Sequence, residues 1–132
     1  MKTTRNKYAA IIFATLITIL MFGCSKDKDN TPSSTSHKLV FKAEASAGST
    51  LNLVVYGYDN TLTTASSVGG TTWTSPEITA PANATVASVV FNAIGANAAS
   101  TLKVQVYVDG VLKKEGTGTG TALTATAQFN LK

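Results

Sequence analysis

The chain has 132 residues, of which 44% are hydrophobic and 14% charged, and its formal net charge is +4 at pH 7. Its single cysteine cannot form a disulfide within the chain, and no histidine lies near it to complete a metal site. The length fits one folded domain that can bury a core without disulfides.

The first 23 residues have the pattern of a secretory signal. Residues 1–8 carry three basic side chains and no acid, and residues 9–22 are fourteen residues without a charge. As a helix this run covers roughly 21 Å, at about 1.5 Å per residue. The hydrocarbon core of a bilayer is about 30 Å thick, so a cleaved signal is favoured over a permanent membrane span.

The stretch MFGC, which ends at Cys24, resembles the lipobox of bacterial lipoproteins. The resemblance implies that a diacylglycerol is joined to the Cys24 sulfur, that the peptide bond between Gly23 and Cys24 is cut, and that the new amine is acylated, for example with palmitate. Two or three acyl chains would hold the protein at a membrane, whereas one chain anchors only marginally. The alternative is an ordinary secretory signal followed by an incidental free cysteine.

Residues 24–37 are predicted to form a flexible tether, because they are polar and lack bulky apolar side chains. The charged segment directly after Cys24 resembles the export signals of Bacteroidota lipoproteins, which imply an outer-membrane location with display at the cell surface. The alternative is a solvated linker of mixed charge. The segment consists of Ser25, Lys26, Asp27, Lys28 and Asp29.

The basic excess belongs mainly to the signal. Three of the eleven basic residues lie in residues 1–8, so residues 24–132 carry eight basic and seven acidic side chains. No basic stripe remains for binding nucleic acid.

Residues 38–132 are predicted to form one β-domain. The first segment, 38–46, alternates with period two and places its apolar residues on one face. In the second segment, 49–58, the alternation predicts Leu51, Leu53 and Val55 on one face, with Tyr56 and Tyr58 on the opposite, outward face. A Thr- and Ser-rich segment follows, and Gly69-Gly70 is predicted to be its hairpin turn.

Three clear strand patterns complete the domain. Alternation predicts that 85–94 and 101–108 bury every second residue, and Asp109-Gly110 predicts a two-residue hairpin turn because both positions tolerate positive φ. After the returning segment VLKKEG, residues 122–132 alternate again. About seven short strands without a helical period predict an all-β, immunoglobulin-like antiparallel β-sandwich.

The order of these segments resembles the MmpS-type transport accessory domain of mycobacteria and related small immunoglobulin-like domains of Bacteroidota lipoproteins. The resemblance covers about 38–132 and rests on VVYGYDN, on Trp73 and on VQVYVDGVLKKEGTGTG. It implies a sandwich that assists an envelope machine and has no catalysis of its own.

No catalytic, cofactor or metal site is predicted. His37 lies at the predicted boundary between tether and domain, and Asp59 and Asp109 are explained by turns. The GTGTGTA stretch joins two strand-like segments, so it lacks the following helix that a phosphate loop requires.

The aromatic side chains are the one set that suggests a binding patch, since exposed rings stack on sugars or anchor protein partners. The alternative is a tryptophan in the core and tyrosines that line a sheet. The sequence therefore favours a lipid-anchored accessory or binding module whose partner is an envelope protein. Its alternative is a surface glycan-binding lipoprotein of a nutrient-uptake system. The candidate patch consists of Tyr56, Tyr58, Trp73 and Tyr107.

Overall fold

The computed structural model describes residues 35–132. The predicted signal (1–23), the Gly23–Cys24 cleavage and lipidation site, the export segment 25–29 and the tether as far as residue 34 lie outside the described residues. The described part forms nine strands and contains no helix that is long and apolar enough to cross a membrane. The strands are β1 (His37–Ala45), β2 (Thr50–Tyr58), β3 (Thr61–Ser66), β4 (Thr72–Thr74), β5 (Ile78–Ala80), β6 (Val86–Ile94), β7 (Thr101–Val108), β8 (Val111–Thr119) and β9 (Ala122–Asn130).

The strands form two antiparallel sheets that pack as a β-sandwich, which confirms the predicted all-β class. Sheet A has the order β4-β1-β7-β8, and β5 also pairs with β1; sheet B has the order β3-β2-β6-β9. The core lies between the sheets and consists of aliphatic side chains, alanines and a few rings. Phe41 from sheet A and Phe91 from sheet B are both fully buried in it.

The strict alternation predicted for the central strands is confirmed. In β1, β6 and β7 every second residue is buried and the residues between them are half-buried or exposed. This pattern arises because successive side chains of a strand point to opposite faces. The burial of apolar area stabilises such a sheet by about 25 cal/mol per Å².

The face assignment predicted for β2 is wrong after its second residue. Leu51 is buried as expected, but the register against β6 shifts between Leu51 and Leu53. This β-bulge adds one residue to β2 and reverses which face the later residues occupy. Consequently Val54 and Tyr56 are buried, whereas Leu53 and Val55 are only half-buried on the outer face of sheet B.

Gly69-Gly70 is not the hairpin turn that the sequence predicts. Both glycines have positive φ, but the loop that contains them crosses from β3 in sheet B to β4 in sheet A, which pairs with β1. The loop is fixed by backbone hydrogen bonds between Leu51 and each of the two glycines. The structure has nine strands where about seven are predicted, because β4 and β5, of three residues each, add two short strands.

The glycines of β8 allow the two sheets to approach at one edge. A Cβ atom on Gly116 would lie 1.9 Å from the carbonyl oxygen of Thr126, and one on Gly118 would lie 2.2 Å from that of Thr124. Only a residue without a side chain permits β8 of sheet A to lie so close to β9 of sheet B. The GTGTG stretch therefore has a packing role.

The loops define two ends of the sandwich. The distal end carries the loops 46–49, 95–100 and 120–121, which all connect one sheet to the other and share backbone hydrogen bonds. The N-terminal end is the opposite one, where β1 begins at His37 and where the Asp109-Gly110 turn lies. The chain that precedes residue 37 thus joins the domain beside the β7–β8 turn.

Candidate functional site

His37 belongs to the folded domain. It is the first residue of β1, pairs with Ala80 of β5, and is about a quarter exposed, so β1 begins one residue before the predicted boundary. Its Nδ1 atom lies 2.7 Å from Oδ2 of Asp109. This pair joins the start of β1 to the β7–β8 turn at the N-terminal end of sheet A.

The Asp109-Gly110 turn has the predicted geometry, with φ values of 52° and 81° that match a two-residue hairpin. The Lys38 amide donates a hydrogen bond of 2.9 Å to Oδ1 of Asp109, and the Asp109 amide donates to the Lys38 carbonyl oxygen. The bond from the Lys38 amide, followed by the His37 contact, lowers the pKa of the Asp109 carboxyl below its ordinary value. The His37–Asp109 pair therefore has a structural role, since Asp109 holds the β7–β8 turn against the first two residues of β1.

Asp59 also has a structural explanation. It follows β2 with a φ of 45°, and its carboxylate accepts hydrogen bonds from the amides of Thr85 and Val86 at 3.0–3.2 Å. These contacts fix the start of β6 against the β2–β3 turn. Among residues 35–132, no three His, Cys, Asp or Glu side chains come together as ligands for a metal ion.

Tyr56 and Trp73 belong to an aromatic cluster inside the sandwich, so the predicted outward position of Tyr56 is wrong. Tyr56 is 7% exposed, and its ring centroid lies 5.6 Å from that of Phe41 and 5.1 Å from that of Trp73. Trp73 in turn meets Phe91 edge-on at 5.4 Å. Such tilted and edge-to-face pairs add to the energy of apolar burial. The cause of the wrong prediction is the bulge in β2.

The four predicted patch residues do not form one surface. Tyr58 is half-buried and packs against the core from sheet B. Tyr107 lies on the outer face of sheet A, opposite Val40 of β1. Of the four, Tyr107 is thus the aromatic side chain that is placed to meet a ligand from solvent.

A depression of about 230 Å³ opens beside Tyr107 on the outer face of sheet A. One side is formed by Lys42, whose Nζ atom lies 4.7 Å from the centroid of the Tyr107 ring, a cation–π distance. The depression is lined by Lys38, Val40, Lys42, Glu77, Tyr107 and Gly110.

Charged groups at the rim of the depression are held in place by neighbours. The Lys38 ammonium donates a hydrogen bond of 2.8 Å to Oγ1 of Thr79 and lies 3.4 Å from Oε1 of Glu77. Beyond the ring, Nε2 of Gln105 donates to Oε2 of Glu115 at 2.6 Å. The site can thus offer an aromatic face, two ammonium groups and a carboxylate to one ligand.

Sequence reasoning did not identify the lysines and Glu77 as neighbours of Tyr107. The alternation of β1 places Lys38 and Lys42 on its outer face, which is a signal that the sequence does contain. Their contact with Tyr107 depends on the cross-strand register of β1 and β7, which pairs Val40 with Tyr107. Sequence separation alone does not reveal that register.

No protein-family model matches the chain, and neither the curated proteins nor the solved structures searched contain a significant match to it.

Proposed function

We propose that this protein is a lipid-anchored, non-catalytic lipoprotein of the bacterial outer membrane, and that its immunoglobulin-like sandwich is an accessory or binding module of the MmpS type. The module would dock an envelope protein through the depression beside Tyr107. The single observation that carries the binding role is this depression, with the Lys42 ammonium over the half-buried ring of Tyr107.

The anchor is supported by the sequence before the domain. Cys24 follows an uncharged run of fourteen residues and a small residue, Gly23, as a lipidated cysteine would. Two or more acyl chains supply the hydrophobic area that stable membrane binding needs. A tether of twelve residues, 25–36, would reach roughly 20 Å on average and bring the domain close to the headgroups.

The binding role is supported by the chemistry around Tyr107. Tyrosine supplies a large apolar ring with few rotatable bonds and is enriched at binding hot spots. The ring stands among groups that form hydrogen bonds, so an incoming partner would be both stacked and oriented. The nearby His37 is held by Asp109, which agrees with a structural role for the histidine.

Crosslinking in living cells tests the binding role. A photo-reactive amino acid at Val40, inside the depression, should crosslink one defined envelope protein. Tyr107→Ala or Lys42→Ala should remove that product, because each deletes half of the stacked pair. Lys103→Ala is the matched control, since Lys103 lies on the same face and contacts Glu44 at 3.9 Å instead. The same crosslinked product in all four chains would contradict the proposal.

The second candidate is a surface glycan-binding lipoprotein, favoured by one observation: the half-buried ring of Tyr107 lines a depression with Lys38 and Glu77, so it can stack on a sugar while both charges bond the hydroxyls of that sugar. Isothermal titration with neutral α- and β-glucan oligosaccharides would detect such binding. Tyr107→Ala should weaken it by about tenfold or more, equivalent to about 1.4 kcal/mol. The glycan role is refuted if no heat of binding accompanies any of these oligosaccharides.

Surface display is proposed from the charged segment 25–29. Protease added to intact cells should remove the domain, and replacement of Asp27 and Asp29 by asparagine should protect it. Digestion only after lysis would place the wild-type domain on the periplasmic side.

A further inference from the structure

The charges of the described domain are unevenly distributed between its two sheets. The four strands of sheet B contain no Asp, Glu, Lys, Arg or His. All Asp, Glu, Lys and His side chains of residues 35–132 lie in strands of sheet A, in turns or at the C-terminus. They are His37, Lys38, Lys42, Glu44, Asp59, Glu77, Lys103, Asp109, Lys113, Lys114, Glu115 and Lys132.

The outer face of sheet B is uncharged and partly apolar. Its central row crosses the sheet with β-branched residues from all four strands. Beside this row lie Leu62, which is 50% exposed, and Ile94, which is 60% exposed. An open, uncharged sheet face of this kind favours association with another surface. The central row is Thr64, Val55, Val90 and Thr126.

We propose that this outer face of sheet B is the interface of a homodimer, and that its occupant is the same face of a second copy of the chain. Four strands at about 4.8 Å spacing and nine residues at about 3.4 Å give a face of roughly 19 by 30 Å. Two such faces bury roughly 1,100 Å² in total as flat area, and more once side-chain relief is included. This reaches the lower end of the range for specific interfaces, about 1,200 Å².

Charge favours a second copy as the occupant. In a two-fold dimer the same patch meets itself, so any charge on the patch would meet a like charge at short distance. The face of sheet B carries none, so pairing desolvates no ion and creates no repulsion. The face also carries no aromatic ring, so it lacks a stacking platform for sugars. The four aromatic residues of the sheet B strands all lie on the core side: Tyr56, Tyr58, Phe91 and Phe129.

The proposed lipid anchor also determines how the two copies are oriented in the dimer, and this orientation rests on the proposed function. Both tethers must reach one leaflet, so both N-terminal ends must lie on the same side. A two-fold axis parallel to the strands, between the two faces, satisfies this requirement; an axis perpendicular to the strands places the tethers on opposite sides. Confinement to a membrane also raises the effective concentration, so that an interface of modest area is sufficient.

Sedimentation of the full chain tests the dimer, with wild type and variants extracted in detergent. Wild type should sediment as a dimer. Val90→Lys should weaken dimerisation by about 100-fold or more, because it buries an unpaired charge near the axis. Thr126→Lys, at an exposed position of the same face, should also weaken it. The matched control, Gln105→Lys on the central strand β7 of sheet A, should leave the dimer intact. Equal thermal midpoints establish that each variant is folded.

A monomeric wild type, or a face covered only by a different protein, overturns the homodimer, as does a Val90→Lys chain that is folded and still dimeric.

Cysteine crosslinking in membranes tests the orientation. Ile94→Cys of one chain should form a disulfide with Ile94→Cys of the second chain. A two-fold axis parallel to the strands brings the same strand position of the two copies together. An antiparallel dimer would instead join Ile94→Cys chains to Val86→Cys chains, which contradicts the orientation. If Cys24 lacks lipid but Val90→Lys abolishes a dimer, the anchor fails and the interface stands.

Discussion

Gly116 is the position at which one added methyl group should damage the sandwich most clearly. A Cβ atom there would lie 1.9 Å from the carbonyl oxygen of Thr126 and 2.6 Å from its carbonyl carbon. Ordinary van der Waals contact begins near 3.4 Å, so β8 and β9 would have to separate by more than 1 Å. The atoms in the way belong to backbone, which cannot rotate aside as a side chain would.

Two opposing effects set the magnitude for Gly116→Ala. Alanine reduces the entropy of the unfolded chain, which stabilises the fold by about 0.4–1 kcal/mol. Overpacking of a well-packed region destabilises it by typically about 1–3 kcal/mol, and by more where backbone must move. Because backbone must move, overpacking is taken at its upper value of about 3 kcal/mol, and we expect a net loss of about 2 kcal/mol. For a domain of this size each kcal/mol lowers the Tm by about 4–8 °C, which corresponds to roughly 8–16 °C.

Urea and thermal unfolding, followed by circular dichroism, would measure this loss. Thr117→Ala is the matched control: the neighbouring side chain is exposed, and its removal should change the unfolding free energy by about 0.5 kcal/mol or less. A Gly116→Ala domain as stable as wild type would refute the close approach of β8 and β9. Equal losses for both variants would show that the assay responds to β8 in general.

Two further predictions concern the Asp109-Gly110 turn and the side chains of Tyr56 and Tyr107. The pKa of Asp109 is lowered in the folded state, so its stabilisation is present above the unfolded pKa, about 4, and is lost as the pH falls through the folded value. Asp109→Asn keeps a residue that tolerates positive φ. Wild type should have a higher urea midpoint than Asp109→Asn at pH 7 and should lose this advantage below about pH 4. Urea midpoints of the two proteins that change in parallel from pH 7 to 2 would contradict this. Tyr56→Ala should lower the unfolding free energy by about 3–5 kcal/mol and Tyr107→Ala by less than about 1 kcal/mol, whereas equal losses would contradict their different burial.

The strands with uninterrupted alternation could be predicted from sequence. In β1, β6 and β7 the period of two continues from end to end, and the buried residues are the predicted ones. The β7–β8 turn was equally predictable, because Asp109-Gly110 tolerates positive φ at both positions. In these segments the local signal and the tertiary structure agree.

Where prediction fails, a non-local cause decides the structure. The bulge at Leu51–Leu53 leaves no mark in a regular alternation, yet it reverses the faces of Tyr56 and its neighbours. Gly69-Gly70 has the composition of a hairpin turn, but the following strand pairs with β1 and not with β3. The site beside Tyr107 depends on cross-strand register, so sequence supplies its side chains without their arrangement.

Mass spectrometry of the protein extracted from membranes tests the central claim most directly. We expect a mature chain whose first residue is Cys24, with a diacylglycerol on its sulfur and an acyl group on its amine. A Cys24→Ser chain should lack both additions and retain its leader. A wild-type chain with a free Cys24 thiol, or with residues 1–23 still attached, would contradict the anchor on which the proposed function depends.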